Sequence, residues 1–89
     1  MDISVLKNWD VSKCENFSGM FGSCYYLEDL KPLKNWNVSN GLDFNNMFNN
    51  LKQLTDLTPL KDWNVGKSKN LAYLFYGCEK LSDLKPLRN

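Results

Sequence analysis

Histidine is missing from this 89-residue chain. That absence removes the side chain most used for proton transfer near neutral pH and the commonest metal ligand. Charge of one sign is missing too: eleven basic and ten acidic residues leave a net +1. A surface that neutralises phosphates needs a basic excess, so nucleic acid is not an expected partner. No apolar run approaches the ~20 residues of a membrane span. Met1-Asp2-Ile3-Ser4 lacks the charged start and apolar stretch of a signal peptide. Cysteine is sparse, with Cys14, Cys24 and Cys78 making an odd count and no CxxC pair. Neither a zinc knuckle nor a complete disulfide framework follows. No enzyme, cofactor or metal site is expected from this inventory.

What is present is a repeat. Asn8 to Lys34 reads NWDVSKCENFSGMFGSCYYLEDLKPLK, Asn35 to Lys61 reads NWNVSNGLDFNNMFNNLKQLTDLTPLK, and Asp62 to Arg88 reads DWNVGKSKNLAYLFYGCEKLSDLKPLR. The three 27-residue units align without a gap, and residues 2–7 match the closing quarter of a unit. One domain over 1–89 is therefore expected, divided into a partial repeat at 2–7 and full repeats at 8–34, 35–61 and 62–88. Stacked repeats place equivalent residues on one another, so apolar columns mark the core. They include Trp9/Trp36/Trp63, Val11/Val38/Val65, Phe17/Phe44/Leu71, Met20/Met47/Leu74, Phe21/Phe48/Phe75, Cys24/Leu51/Cys78 and three leucine columns at 27, 30 and 33.

Two periods alternate within each unit. Phe44, Met47, Phe48 and Leu51 sit at i, i+3, i+4 and i+7, one face of a helix. Asn16, Asp43 and Asn70 precede that face as candidate caps. The spacing predicts helices near 16–26, 43–53 and 70–80. The Trp-x-Val step has a period of two and predicts short parallel strands, with Trp36 and Val38 inward and Asn37 and Ser39 outward. The Leu-x-Pro-Leu step reads as a turn or irregular extended segment, because Pro32, Pro59 and Pro86 cannot donate to a ladder. The expected fold is an α/β repeat solenoid, a leucine-rich-repeat-like right-handed superhelix of about three and a quarter turns.

Leu27-x-x-Leu30, Trp36-Asn37-Val38-Ser39 and Met20-Phe21-Gly22-Ser23-Cys24 together resemble the BspA-type leucine-rich repeat of bacterial surface proteins. The resemblance spans essentially the whole chain. It departs at Leu51, where the pattern has cysteine, and at Gly66 and Leu74. It implies display on the cell surface or secretion within a parent protein, adhesion or host-molecule binding, and no catalytic residues.

Several columns admit chemistry and have a simpler reading. Cys24 and Cys78 lie two units apart, at least ~10 Å when strands stack at ~4.8 Å, beyond the ~7 Å Cα separation a disulfide allows. Cys14 falls in a small column with Gly41 and Ser68 and has no histidine to activate it. The Asp2/Asp29/Asp56/Asp83 column suits turn closure through backbone amides better than cation binding, with Lys7/Lys34/Lys61/Arg88 as counter-charge. Two Asn-x-Ser triplets, at Asn16 and Asn37, arise from capping and strand chemistry.

The candidate binding face is therefore the outward polar columns, Asp10, Asn37 and Asn64 with Ser12 and Ser39, joined by the tyrosines outside the core columns, Tyr25, Tyr26 and Tyr76. The expected function is non-enzymatic recognition of a protein or glycan, on a host or neighbouring cell, by shallow multivalent contact. The competing reading is a structural spacer whose recognition module lies elsewhere in a longer chain. The uncapped ends, Ile3, Val5 and Leu6 at one side and Leu87 at the other, predict further repeats in a parent chain or end-to-end self-association.

Overall fold

In the first two units the residues that read as a helix carry too much glycine, serine and asparagine for one. Asn45, Asn46, Asn49 and Asn50 fall within six residues of the middle unit, and all compete with the backbone for hydrogen bonds. The computed structural model describes residues 1–84 and 86, and the backbone there takes another course. The column Gly19/Asn46/Tyr73 is left-handed, with φ of +67°, +60° and +57°, and so is Ser23/Asn50/Gly77, at +60°, +60° and +77°. A left-handed residue every fourth position stops an α-helix from propagating. Asparagine and glycine tolerate that conformation at little cost, which explains their density here.

The chain instead makes successive four-residue turns, and its amides alternate between two kinds of acceptor. Met20, Gly22 and Cys24 donate back three residues to Phe17, Gly19 and Phe21. Phe17, Gly19, Phe21 and Ser23 donate sideways to the carbonyls of Asp43, Asn45, Met47 and Asn49 in the next unit, at 2.7–2.9 Å. Phe44, Asn46, Phe48 and Asn50 repeat the pattern onto Asn70, Ala72, Leu74 and Tyr76. Each pair of turns brings i, i+3, i+4 and i+7 to one side, and the expected inner face is realised without a helix. Phe44, Met47, Phe48 and Leu51 are fully buried.

The expected α/β solenoid is thus corrected. Among the described residues there is no α-helix and no strand, only three 3-10 helices and the isolated parallel bridges Asn16–Asp43 and Asp43–Asn70. The body measures 30 × 27 × 20 Å. The helices expected near 16–26, 43–53 and 70–80 are replaced by the turns. Asn16, Asp43 and Asn70 do accept amide hydrogen bonds through Oδ1, from Ser18, Asn45 and Ala72, but they cap a turn rather than a helix.

The Trp-x-Val strands fail for a related reason. Asn37 Oδ1 accepts the amide of Ser39 two residues on, and Gly41 donates to Val38, so the chain curls where a ladder needs it straight. The inward and outward sense survives: Trp36 and Val38 are buried and Asn37 is exposed. The Leu-x-Pro-Leu steps become the 3-10 helices Lys31–Leu33 and Thr58–Leu60, with proline in the first turn where its missing N–H costs nothing. Ser4–Leu6 is their counterpart in the partial repeat. Leu87 and Arg88, assigned to the last leucine and basic columns, lie outside the described residues.

Aromatic rings join the units. Phe17 stacks on Phe44 with centroids 5.2 Å apart, Phe21 on Phe48 at 5.7 Å, and Phe48 on Phe75 at 5.6 Å, all within 7° of parallel. Each later tryptophan leans on two phenylalanines of the unit before it. Trp36 touches Phe17 and Phe21, and Trp63 touches Phe44 and Phe48. Their indole Nε1 atoms donate back to the carbonyls of Leu6 and Leu33, both at 2.9 Å. A buried indole needs such a partner, and a leucine 30 residues back, at the end of the unit before the preceding one, supplies it.

Candidate functional site

The outward polar columns are built by one local device. Asp10, Asn37 and Asn64 each turn Oδ1 back to accept the amide two residues on, at 2.9–3.1 Å. Ser12 and Ser39 donate their hydroxyls to the same oxygens of Asp10 and Asn37, at 2.6 and 2.7 Å. Those bonds to Ser12, the hydroxyl first and the amide second, hold the Asp10 carboxyl below its ordinary range. Each side chain is locked by its own turn and leaves its other polar atom facing solvent. The result is a row of fixed polar groups, one per unit: a carboxylate oxygen at Asp10 and amide N–H groups at Asn37 and Asn64.

A second row runs alongside. Asn40 Nδ2 donates to the Ser12 carbonyl, and Lys67 Nζ donates to Asn40 Oδ1. The tyrosines are placed differently. Tyr25, Tyr26 and Tyr76 are all exposed, but no hydrogen bond or ring contact among the described residues joins them to the Asp10/Asn37/Asn64 row. Tyr25 lies near Lys52, and Tyr76 stands edge-on to Tyr73 at 5.5 Å. The columns that hold Tyr25 and Tyr26 continue as cross-unit pairs, Lys52 with Glu79 at 2.9 Å and Lys80 with Gln53 at 2.7 Å.

The aspartate column closes turns. Asp2, Asp29 and Asp56 accept the amides of Ser4, Lys31 and Thr58 at 2.8–2.9 Å. No group of three or more metal-ligating side chains occurs among the described residues. All three cysteines are free thiols. Cys14 Sγ donates to the Asn16 carbonyl just as Ser68 Oγ donates to that of Asn70, so the small column is a turn-closing position. Cys78 is buried, which pushes its thiol above the usual range. A buried, protonated thiol is a poor nucleophile.

One feature went unread in the sequence. Lys31, Lys34, Asp56, Thr58, Pro59 and Lys61 line a shallow groove of about 440 Å³ across the two proline-containing 3-10 helices. Three ammonium groups against one carboxylate make it locally cationic. The signal lay in the lysine column, which stacking brings onto one face.

Residues 1–87 match a family described as Mycoplasma protein of unknown function, DUF285. The chain belongs to that family. No curated protein and no solved structure matches it. Membership in DUF285 brings no reaction or ligand with it, so the function of this DUF285 chain is argued from its surface. No helix among the described residues is long and apolar enough to cross a membrane.

Proposed function

We propose that this DUF285 chain is a non-enzymatic recognition segment of a bacterial surface protein, binding a protein or glycan on a host or neighbouring cell. The observation that carries the reading is the row Asp10, Asn37 and Asn64. Identical turn geometry in successive units presents one fixed polar group per unit, and preorganised groups bind without the entropic cost of ordering them. A ligand with its own repeat, such as a polysaccharide, would meet several shallow contacts at once, and linked weak contacts gain by effective concentration. The exposed rings of Tyr25, Tyr26 and Tyr76 offer the flat apolar surface that sugar rings and protein hot spots use. The resemblance to BspA-type repeats supports surface display and adhesion.

A glycan and matrix-protein array tests this directly. The wild type is expected to bind a defined subset, and the Asn37→Ala/Asn64→Ala and Tyr25→Ala/Tyr26→Ala variants to lose at least tenfold in signal. Absence of binding across the array would sink the reading. The alternative, a structural spacer, is favoured by two features: the polar row already satisfies its own backbone, and the ion pair Lys52–Glu79 joins units to each other. A spacer leaves the array blank while the same variants keep their fold.

A further inference from the structure

The rule that joins the units inside the chain leaves its two outer edges with opposite polarity. Along the turns, amides of one unit donate to carbonyls of the next, from 17, 19, 21 and 23 onto 43, 45, 47 and 49, and from 44, 46, 48 and 50 onto 70, 72, 74 and 76, while just before them Leu42 and Asp43 donate back to Glu15 and Lys69 back to Leu42. In the third unit the equivalent amides, at 71, 73, 75 and 77, have no hydrogen-bond partner among the described residues. In the first unit the carbonyls of Ser18, Met20 and Gly22 accept nothing, and that of Asn16 takes only the Cys14 thiol. At these turn positions one edge presents a row of donors and the other a row of acceptors, at the same spacing.

The tryptophan rule points the same way. Trp36 and Trp63 each use the carbonyl of a leucine 30 residues back. The next carbonyl in that series, of Leu60, accepts only the amide of Trp63. Trp9 has the same sequence context with its indole exposed.

We propose that the chain binds a second copy of itself head to tail, the first-unit edge of one copy laid on the third-unit edge of the other in the 27-residue register of its own interior. The amides of 71, 73, 75 and 77 donate to the carbonyls of 16, 18, 20 and 22, and the Trp9 indole donates to the Leu60 carbonyl of the other copy. The incoming edge must repeat a left-handed residue every fourth position, as Gly19 and Ser23 do. A flat strand lacks that repeat, so a second copy fits where a generic strand does not. The two edges differ, so the contact is heterologous and does not close on itself, and copies add in a line. In that register Asp2 and Ile3 of the incoming copy fall at the positions of Asp83 and Leu84 of the receiving one, so the two segments overlap.

Sedimentation velocity over a concentration series tests the proposal with two blocked variants, Trp9→Asp/Met20→Asp at the acceptor edge and Leu71→Asp/Tyr73→Asp at the donor edge. The wild type is expected to rise past dimer mass, and each variant to stay monomeric. Their equimolar mixture is expected to stop at a dimer, because each keeps the edge the other lacks. Circular dichroism confirms that each variant is folded, and Trp9→Asp and Tyr73→Asp alone replace any double variant that is not. A chain ending at Ser82 removes the overlap and is expected to associate several-fold more tightly. A wild type that stays monomeric at ~1 mM, a blocked variant that dimerises alone, or a mixture that stays monomeric overturns head-to-tail pairing. A truncated chain that associates no better overturns the register.

Discussion

Trp36 and Trp9 occupy the same position of the repeat in nearly the same local sequence, yet Trp36 is 4% exposed and Trp9 55%. Met47 and Met20 differ as widely, at 0% and 41%, and so do Phe44 and Leu71, at 1% and 42%. The middle unit has a neighbour on each side and the outer units have one. Burial is thus conferred by the adjoining unit and not by the unit's own chain. Stability in such an arrangement resides largely in the interfaces between units.

The sharpest test of that contrast is to remove the same side chain at both places. Trp36→Ala deletes a ring packed on Phe17 and Phe21 and leaves the Leu6 carbonyl without its indole donor, so it is expected to cost about 3–5 kcal/mol. Trp9→Ala is expected to cost under ~1 kcal/mol. Urea denaturation of the two variants checks this, and equal losses would break the comparison.

A second test asks how tightly the middle is filled. Gly41 is buried, and a Cβ placed there would press on the Phe44 ring and meet the Val38 carbonyl at 3.0 Å. Phe44 is confined by Phe17 and Trp63, so Gly41→Ala is expected to cost about 1–3 kcal/mol through overpacking. At Gly66 in the third unit the one atom near such a Cβ is Asn64 Oδ1 at 3.1 Å, and the same turn already carries the side chains of Ser12 and Ser39 in the first two units. Gly66→Ala is expected to be close to neutral, and thermal melts of both variants decide.

Backbone strain gives a smaller effect at the outer edge. Tyr73 holds φ of +57° where the first two units have Gly19 and Asn46, and Tyr73→Gly is expected to stabilise by about 1 kcal/mol, read as a raised melting temperature.

Acid should act weakly. Backbone amide hydrogen bonds from Ser4 and Thr58 hold Asp2 and Asp56 below the ordinary 3.8, as the Ser12 hydroxyl and amide do for Asp10. A carboxyl whose folded value is depressed contributes stability above its unfolded value and loses it as pH falls through the folded one. The melting temperature is therefore expected to hold from neutral pH to about pH 5 and to fall below about pH 4. An Asp10→Asn/Asp56→Asn variant should flatten that fall. The least effect is expected at the exposed pair Lys52–Glu79, where Lys52→Met should leave the urea midpoint unchanged, since exposed ion pairs contribute little.

Much of this is legible in the sequence alone. The columns of Trp, Val, Phe and Leu name the buried residues of the middle unit correctly, because stacking puts like on like. The aspartates before Leu-x-Pro-Leu were readable as turn closers, because a short carboxylate reaches its own backbone whatever surrounds it. The helix was misread, because i, i+3, i+4 and i+7 is also what two four-residue turns produce. Its clue was the asparagine and glycine at positions 19, 46, 50 and 77, which mark left-handed backbone. In the candidate site, the polar row could be read from columns, but the locking of Asp10, Asn37 and Asn64 onto the amides two residues on could not, since patterning orders residues along a unit without giving its path in space.

Sequence by itself determined the 27-residue period, the inward columns and the turn chemistry, all of which depend on residues close in the chain or on identity between copies. Tertiary structure decided where the amides go. A backbone donor can satisfy itself within its own segment or against a neighbour 26 residues away, and local propensity does not choose between them when the neighbour is the same sequence. Stacking made the choice here, and it left one edge of the molecule rich in donors and the other in acceptors.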